Sequence, residues 1–292
     1  MLFLDLTKAF DFAIREILLN FRQVFSKNKP ERIALLEQLG LRRHDAETSL
    51  HELESEGSVL EQLVHDDGLV ELIRSLHTNS WFKLGQSTSV IVSNRGGRQK
   101  CKLGGLIFNM IYAKALKALR AKLDRVHLML RLLLNSNIPL WTPHSLGSAE
   151  TSLTLHSVGE ATFVDDECLM LCAKSPCDLD RKIDALLSLL IDEFGANGFH
   201  INFAKGKTEG IIVYRGKGAK HAKDKLWRPD PASGASVQLY PLPRRVEHHD
   251  YLHAVSMYKH VGTMVSHDVS WSADARLKAG NALGAYAPMA RT

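Results

Sequence analysis

The sequence has few cysteines. None of the four, Cys101, Cys168, Cys172 and Cys177, forms the paired two-residue spacing of a structural zinc site, so all are read as reduced thiols. No secretory leader is expected either, because the opening MLFLDLTKAF carries Asp5 and Lys8 inside what would have to be an apolar segment. No stretch reaches the roughly 20 apolar residues that span a bilayer. The best candidate, VHLMLRLLLNSN, is interrupted by Arg131 and Asn135. There is neither an internal repeat nor a low-complexity tract. These absences leave an intracellular, soluble chain as the expectation.

What is present suits a folded protein. The 292 residues are 45% hydrophobic and 24% charged, ordinary values that exclude global disorder and collagen-like classes. The length allows one large domain or two small ones. Lys plus Arg number 37 against 32 for Asp plus Glu, a net charge of +5 with a pI near 9.0. That is a mild bias toward a polyanionic partner.

The stretch ATFVDDECLML, residues 161–171, sets Asp165, Asp166 and Glu167 inside a β-prone, apolar run. Side-by-side carboxylates repel, and burying one unpaired costs several kcal/mol. Either the pair lies in a solvated turn, which Asp favours, or a divalent cation compensates it. SVGEATFV and ECLMLCA on either side predict a hairpin with the carboxylates at its tip.

Elsewhere the pattern predicts a strand over MLFLD that ends at or just beyond Asp5. Thr7 then stands as the N-cap of a helix whose apolar face is Phe10, Ala13, Ile14, Ile17, Leu18 and Phe21. Two amphipathic helices are expected over 31–55 and 59–77, with Gly57 and Ser58 between them. WFKLGQSTSVIVSN reads as a strand or hairpin turning near Gly85. Helices follow at 106–134 and 178–194, then strands in GFHINFAKGKTEGIIVYRGKG, a loop at RPDPASGAS and a β region ending in YKHVGTMV. A last helical pattern covers 273–287. This order implies an α+β fold, an antiparallel sheet with helices packed on one face.

Five segments carry a resemblance. FLDLTKAFD (3–11), GGRQKCKLGGLIFNMIY (96–112), FVDD (163–166), GFHINFAKGKTE (198–209) and YKHVG (258–262) stand in the order of the palm motifs of reverse transcriptases. They look most like those of non-LTR retrotransposons. One such motif is weak; five in register are specific. The resemblance implies a polymerase palm-type sheet over residues 1–270 with a partial fingers insertion, and the start of a thumb or connecting helix over 271–292.

By the same resemblance, Asp5, Asp165 and Asp166 are the catalytic carboxylates, binding two Mg²⁺ ions, with Mn²⁺ as a substitute, for nucleotidyl transfer from a dNTP to a primer 3′-hydroxyl. Lys205 or Lys207 is the fourth-motif lysine at the departing pyrophosphate. Leu6, Phe10, Arg98 and Gln99 line the incoming deoxynucleotide, with Phe10 as the aromatic gate against a ribose 2′-hydroxyl. Asn109, Tyr258, Lys259 and Gly262 meet template and primer. The glycines at 96, 97, 104 and 105 let backbone approach closely. The partners implied are an RNA template, a DNA primer and deoxynucleoside triphosphates, in the nucleus. Taken as bare residues, several of these have bland readings: Phe10 as a core aromatic, Arg98 and Gln99 as a polar loop, either lysine as solvated.

Independently of the motifs, Lys205, Lys207, Arg215, Lys217, Lys220, Lys223, Lys225 and Arg228 form a basic segment interleaved with Tyr214 and Trp227. That composition suits a nucleic-acid backbone. The histidines, His248, His249 and His253 among them, show no ligand spacing.

The chain departs from the family pattern at Lys100, where glycine usually follows RQ, and at Lys102, where proline is common. Only four residues precede Asp5, where the family carries its fingers, so the resemblance is to a palm cut from a larger polyprotein. An inactive retrotransposon remnant that keeps the fold and some nucleic-acid binding is therefore the alternative. A palm-type nucleotidyl transferase or cyclase of another kind would have no use for RQ and YKHVG. If the Lys100 side chain crowds the nucleotide where backbone must come close, Lys100→Gly raises the rate of primer extension in a single-turnover assay. An unchanged rate would count against crowding.

Overall fold

The computed structural model describes residues 1–7, 14–19, 28–77, 81–82, 86, 89, 91–92, 102–135, 153–158, 160–163, 166–230, 233–268, 270, 272 and 274–279. The fold is mixed α+β. Its main sheet joins β1 (Leu2–Leu4), β6 (Glu160–Phe163), β7 (Asp166–Leu169), β8 (Glu209–Gly210), β10 (Ser236–Val246) and β11 (His249–Ala254) in the order β6-β7-β1-β8-β11-β10. A further strand, β9 (Trp227–Pro229), lies along the outer side of β10. All neighbours are antiparallel except β11 and β8. Three separate hairpins pair β2 (Trp81–Phe82) with β3 (Ile91–Val92), β4 (Leu130–Asn135) with β5 (Leu153–Val158), and β12 (Met257–His260) with β13 (Thr263–Ser266).

Strand alternation divides the sheet into two unlike faces. Leu2, Leu4, Leu169 and Leu252 point to one side and join the main core. That core is built with α6 (Lys102–Arg125) and α7 (Pro176–Ala196), through Phe108, Tyr112, Leu187 and Phe194. Phe3, Cys168 and Ile211 point to the other side and form a small separate cluster under Tyr258 and Val265 of the β12–β13 hairpin. Packing of the helices on one face agrees with the expectation. The described cysteines Cys168, Cys172 and Cys177 are free thiols, and burial pushes Cys168 up to about 11.

The remaining helices are shorter than their periodicity suggests. The 31–55 pattern is two helices, α2 (Lys29–Gln38) and α3 (Arg43–Glu56). Between them the chain turns at Gly40, φ 97°, where Gly40 N–H donates to Glu37 O and Leu41 N–H to Leu36 O. This is the capping pattern that ends a helix through a left-handed residue. The 59–77 pattern likewise splits into α4 (Val59–Leu63) and α5 (Asp67–His77). Ser58 starts α4 with a reciprocal capping box to Glu61, as the Gly57-Ser58 boundary predicts. Asp66 accepts from Leu69 N–H and restarts the chain as α5. Near the amino terminus only α1 (Arg15–Leu19) is described. Its Ile14 and Ile17 are buried as expected, while Phe10, Ala13 and Phe21 lie outside the described residues.

Two expectations fail. The helix predicted to run to 134 ends at Arg125, where His127 adopts φ 57° and Leu128 N–H caps back to Leu123 O. Residues 130–135 are β4, fully registered against β5. The strands expected in GFHINFAKGKTEGIIV reduce to a bridge at Ile201 and the two residues of β8, because the backbone of 202–208 is committed to turns and to Asp5. The short helix α8 (Ala219–Asp224) was not foreseen. Of the carboxy-terminal pattern, residues 274–279 are helical.

The end of α7 steers the chain toward Asp5. Gly198 N–H donates to Gly195 O at 3.0 Å and Phe199 N–H to Phe194 O at 2.8 Å, with the Phe194 and Phe199 rings 6.1 Å apart, which together make a Schellman motif with its apolar contact. Gly198 has φ 79°, and a Cβ there would lie 2.7 Å from Cδ1 of the fully buried Ile14. Gly198→Ala should therefore lose about 3 kcal/mol from left-handed backbone and overpacking combined. A urea midpoint shifted down at constant slope is the check.

Candidate active site

Asp5 follows directly on β1, and its backbone is gripped from both sides by the 202–208 segment. Its N–H donates to Thr208 Oγ1 at 3.0 Å. Its carbonyl accepts from Asn202 N–H at 2.9 Å and from the Thr208 hydroxyl at 3.2 Å. Asn202 Oδ1 accepts from Ala204 N–H at 3.1 Å, which turns the Asn202 amide so that Nδ2 donates to Asp5 Oδ2 at 3.3 Å. The other carboxylate oxygen, Oδ1, lies 3.5 Å from Lys207 Nζ, in a pair whose Asp5 side chain is 26% exposed.

Asp166 opens β7. The last registered pair between β1 and β7 is Leu4↔Glu167. One residue further along, Asp5 stands opposite Asp166, where Cα atoms of facing residues are on the order of 5 Å apart. Across the β6–β7 hairpin, Phe163 pairs with Asp166, so the predicted hairpin is present and Asp166 opens its second strand. Asp165 lies outside the described residues, as do Phe10, Arg98 and Gln99.

Tyr258 closes one side. Its ring stacks on Phe3 at 4.3 Å between centroids with planes 13° apart, and its hydroxyl donates to Lys207 O at 2.9 Å. Its phenol is pushed up to about 12, first by burial and then by the negative charges of Asp5, Asp166 and Glu209. All three carboxylates therefore bear on one hydroxyl. Glu209 is buried and accepts from Gly206 N–H at 2.7 Å.

The neighbouring acid of the DDE triplet does something different. Glu167 is fully buried, and its Oε2 accepts from Tyr112 OH of α6 at 2.8 Å. Alternation sends Glu167 into the helix-covered core and Asp166 to the opposite face.

Other predicted residues sit as follows. Lys205 is exposed, and its charge bears on His253, whose pKa is lowered mainly by burial; Lys207 is the lysine at Asp5. Leu6 is in the core, bridged to Ile201. Asn109 is exposed on α6, and Lys259 is exposed on β12. Gly262 and Val261, φ 79° and 47°, are the central residues of the β12–β13 turn, both with the positive φ that a tight two-residue hairpin demands. Sequence reasoning gave no role to Thr208 or Glu209, although both belong to the KTE triplet, nor to the Tyr112–Glu167 pair.

Among the described residues, no group of three or more His, Cys, Asp and Glu side chains is arranged to hold a metal ion. Asp5 and Asp166 supply two hard oxygen donors. That suits Mg²⁺, which is usually bound through one or two carboxylates with waters and substrate phosphates completing its octahedron. No helix among the described residues is long and apolar enough to cross a membrane. No protein-family model matches the chain, and no curated protein matches it.

The electrostatic coupling of this cluster has a direct readout. Asp5→Asn removes one of the charges that raise Tyr258, so its phenol titrates below about 12 while burial keeps it above the ordinary value. Tyr214 and Tyr240, raised by burial beside Asp180 and Asp184, stay where they are. Phenolate absorbance during an alkaline titration, with Tyr258→Phe to assign the transition, measures the difference.

Proposed function

We propose that the chain is the palm of an RNA-directed DNA polymerase of the non-LTR retrotransposon type, acting in the nucleus on an RNA template and a DNA primer. One observation carries the reading. The β1–β7 register brings Asp5 beside Asp166 on the sheet face that the helices leave uncovered, and Lys207 and Tyr258 join them there. Four of the five motif segments thus meet at one end of the sheet, although they are far apart in the chain. The second segment reaches the same sheet through Tyr112 and Glu167.

Mg²⁺ held by Asp5 and Asp166 would lower the pKa of the primer 3′-hydroxyl and stabilise charge on the departing pyrophosphate. The protein's own groups do the positioning. Asn202 and Thr208 fix the Asp5 backbone and one of its carboxylate oxygens. Lys207 holds its ammonium 3.5 Å from the other oxygen of the same carboxylate. Tyr258, kept protonated by burial and by the surrounding acids, offers a flat neutral surface beside the reacting end. An inactive remnant is the second reading, favoured by Lys100 and by the ammonium that already balances Asp5.

The two readings separate in a primer-extension assay with an RNA template, a DNA primer and dNTPs. The polymerase reading expects Mg²⁺-dependent extension that stops with EDTA and falls by roughly a hundredfold or more in Asp5→Asn and in Asp166→Asn. Extension that survives both substitutions, or none with either Mg²⁺ or Mn²⁺, rejects it.

A further inference from the structure

The chain's net positive charge is concentrated in one short piece. Residues 215–228, RGKGAKHAKDKLWR, hold six cations and one acid; taking them from the 37 and 32 of the whole chain leaves 31 of each sign. All six, Arg215, Lys217, Lys220, Lys223, Lys225 and Arg228, are exposed, and none makes an ion pair among the described residues. The fold narrows the basic segment that the sequence suggests. Lys207 belongs to Asp5, and the Tyr214 hydroxyl is committed to Asp180.

The cations nearest the sheet edge lie on adjacent elements. The helix α8 carries Lys220 and Lys223 and leads into β9, the outermost strand. There Trp227 is 48% exposed, an unusually open position for an indole. Arg228, next along β9, lies over the Tyr251 ring at 5.5 Å. By alternation it shares the face of its partner Val237, the side opposite that of Trp227. The cationic strip thus passes around the sheet edge.

We infer that this α8–β9 edge is a docking surface for single-stranded nucleic acid, its lysines and arginines on phosphates and Trp227 stacked on an unpaired base. Clustered unpaired cations fit a polyanion, and an exposed indole among them adds a sequence-tolerant platform that phosphate contacts alone lack. From β9 to β1 there are four strand spacings, about 19 Å. A stacked strand covers that in about six nucleotides, so one polynucleotide reaches from this edge to Asp5 and Asp166. That last span rests on the polymerase reading; the binding itself does not.

The test is fluorescence anisotropy with the full chain and labelled oligodeoxythymidine across a salt series. Replacing Lys220, Lys223 and Lys225 together by Gln should lower the slope of log affinity against log salt by about 2. Trp227→Ala should weaken binding about tenfold, and Trp227→Phe should retain most of it. The assay holds neither Mg²⁺ nor dNTPs, so its outcome does not depend on catalysis, which separates failure of this surface from failure of the polymerase reading. An unchanged slope in the triple variant, or binding to phosphatidylserine vesicles but not to the oligonucleotide, overturns the inference.

Discussion

β1 and β7 pair antiparallel with Leu4 opposite Glu167, and because side chains alternate across a strand, this register settles the fate of every acid near it. Asp5 and Asp166 come to the same face. Glu167 goes to the other, where it is fully buried and needs a donor, which Tyr112 of α6 provides. A slip of one residue would exchange these roles: the shorter Asp166 would enter the apolar core, and Glu167 would be withdrawn from the Tyr112 hydroxyl. Both outcomes strand polar groups in a low-dielectric interior, so the core itself enforces the position of the two aspartates.

The second constraint is the Schellman turn that ends α7. Without the left-handed residue at Gly198 the chain could not fold back sharply enough to run beside Asp5. Once it does, Thr7 N–H reaches His200 O and Asn202 N–H reaches Asp5 O. Thr208, wholly buried, then satisfies both backbone groups of Asp5 with one hydroxyl. A site residue immediately past a strand end would ordinarily fray. Here its backbone hydrogen bonds are made by the segment that also delivers Lys207, so the position of the carboxylate and that of its counter-charge are set by one loop.

How much of this was legible in the sequence follows from the range of the interactions. Local signals read well: the β6–β7 hairpin around 163–166, the boundary at Gly57 and Ser58, the N-terminal strand, and α7, which spans Pro176–Ala196 and contains the predicted range. Non-local pairing did not. The apolar run at 130–134 suits a helix face as well as a strand, and only its partner at 153–158 decides. Alternation in FAKGKTEG resembled a strand, yet its backbone groups serve Asp5 and tight turns. The breaks at Gly40 and Asp66 were hidden because apolar periodicity continues across them. At the site, no spacing rule could bring Asp5 to Asp166; the motif resemblance suggested the meeting. The same resemblance left Lys205 and Lys207 undecided; of the two, Lys207 lies 3.5 Å from Asp5.

The electrostatics of the acidic end bear on what it can hold. Asp5, Asp166 and Glu209 all act on the Tyr258 phenol, and Lys207 is the cation paired with this group among the described residues. Lys207 is half exposed, so solvent weakens its hold on Asp5. Tyr258, raised first by burial and then by the three acids, carries their charge over the ring stacked on Phe3. Three carboxylates gathered around one half-exposed ammonium favour the approach of a further cation. Lys207, on a flexible stem, can follow the charge balance without disturbing the backbone hydrogen bonds that hold Asp5. Concentration of the chain's surplus positive charge at the distant β9 edge then keeps that charge from cancelling the acidic end, since exposed charges about 19 Å apart lie beyond the screening length at physiological salt.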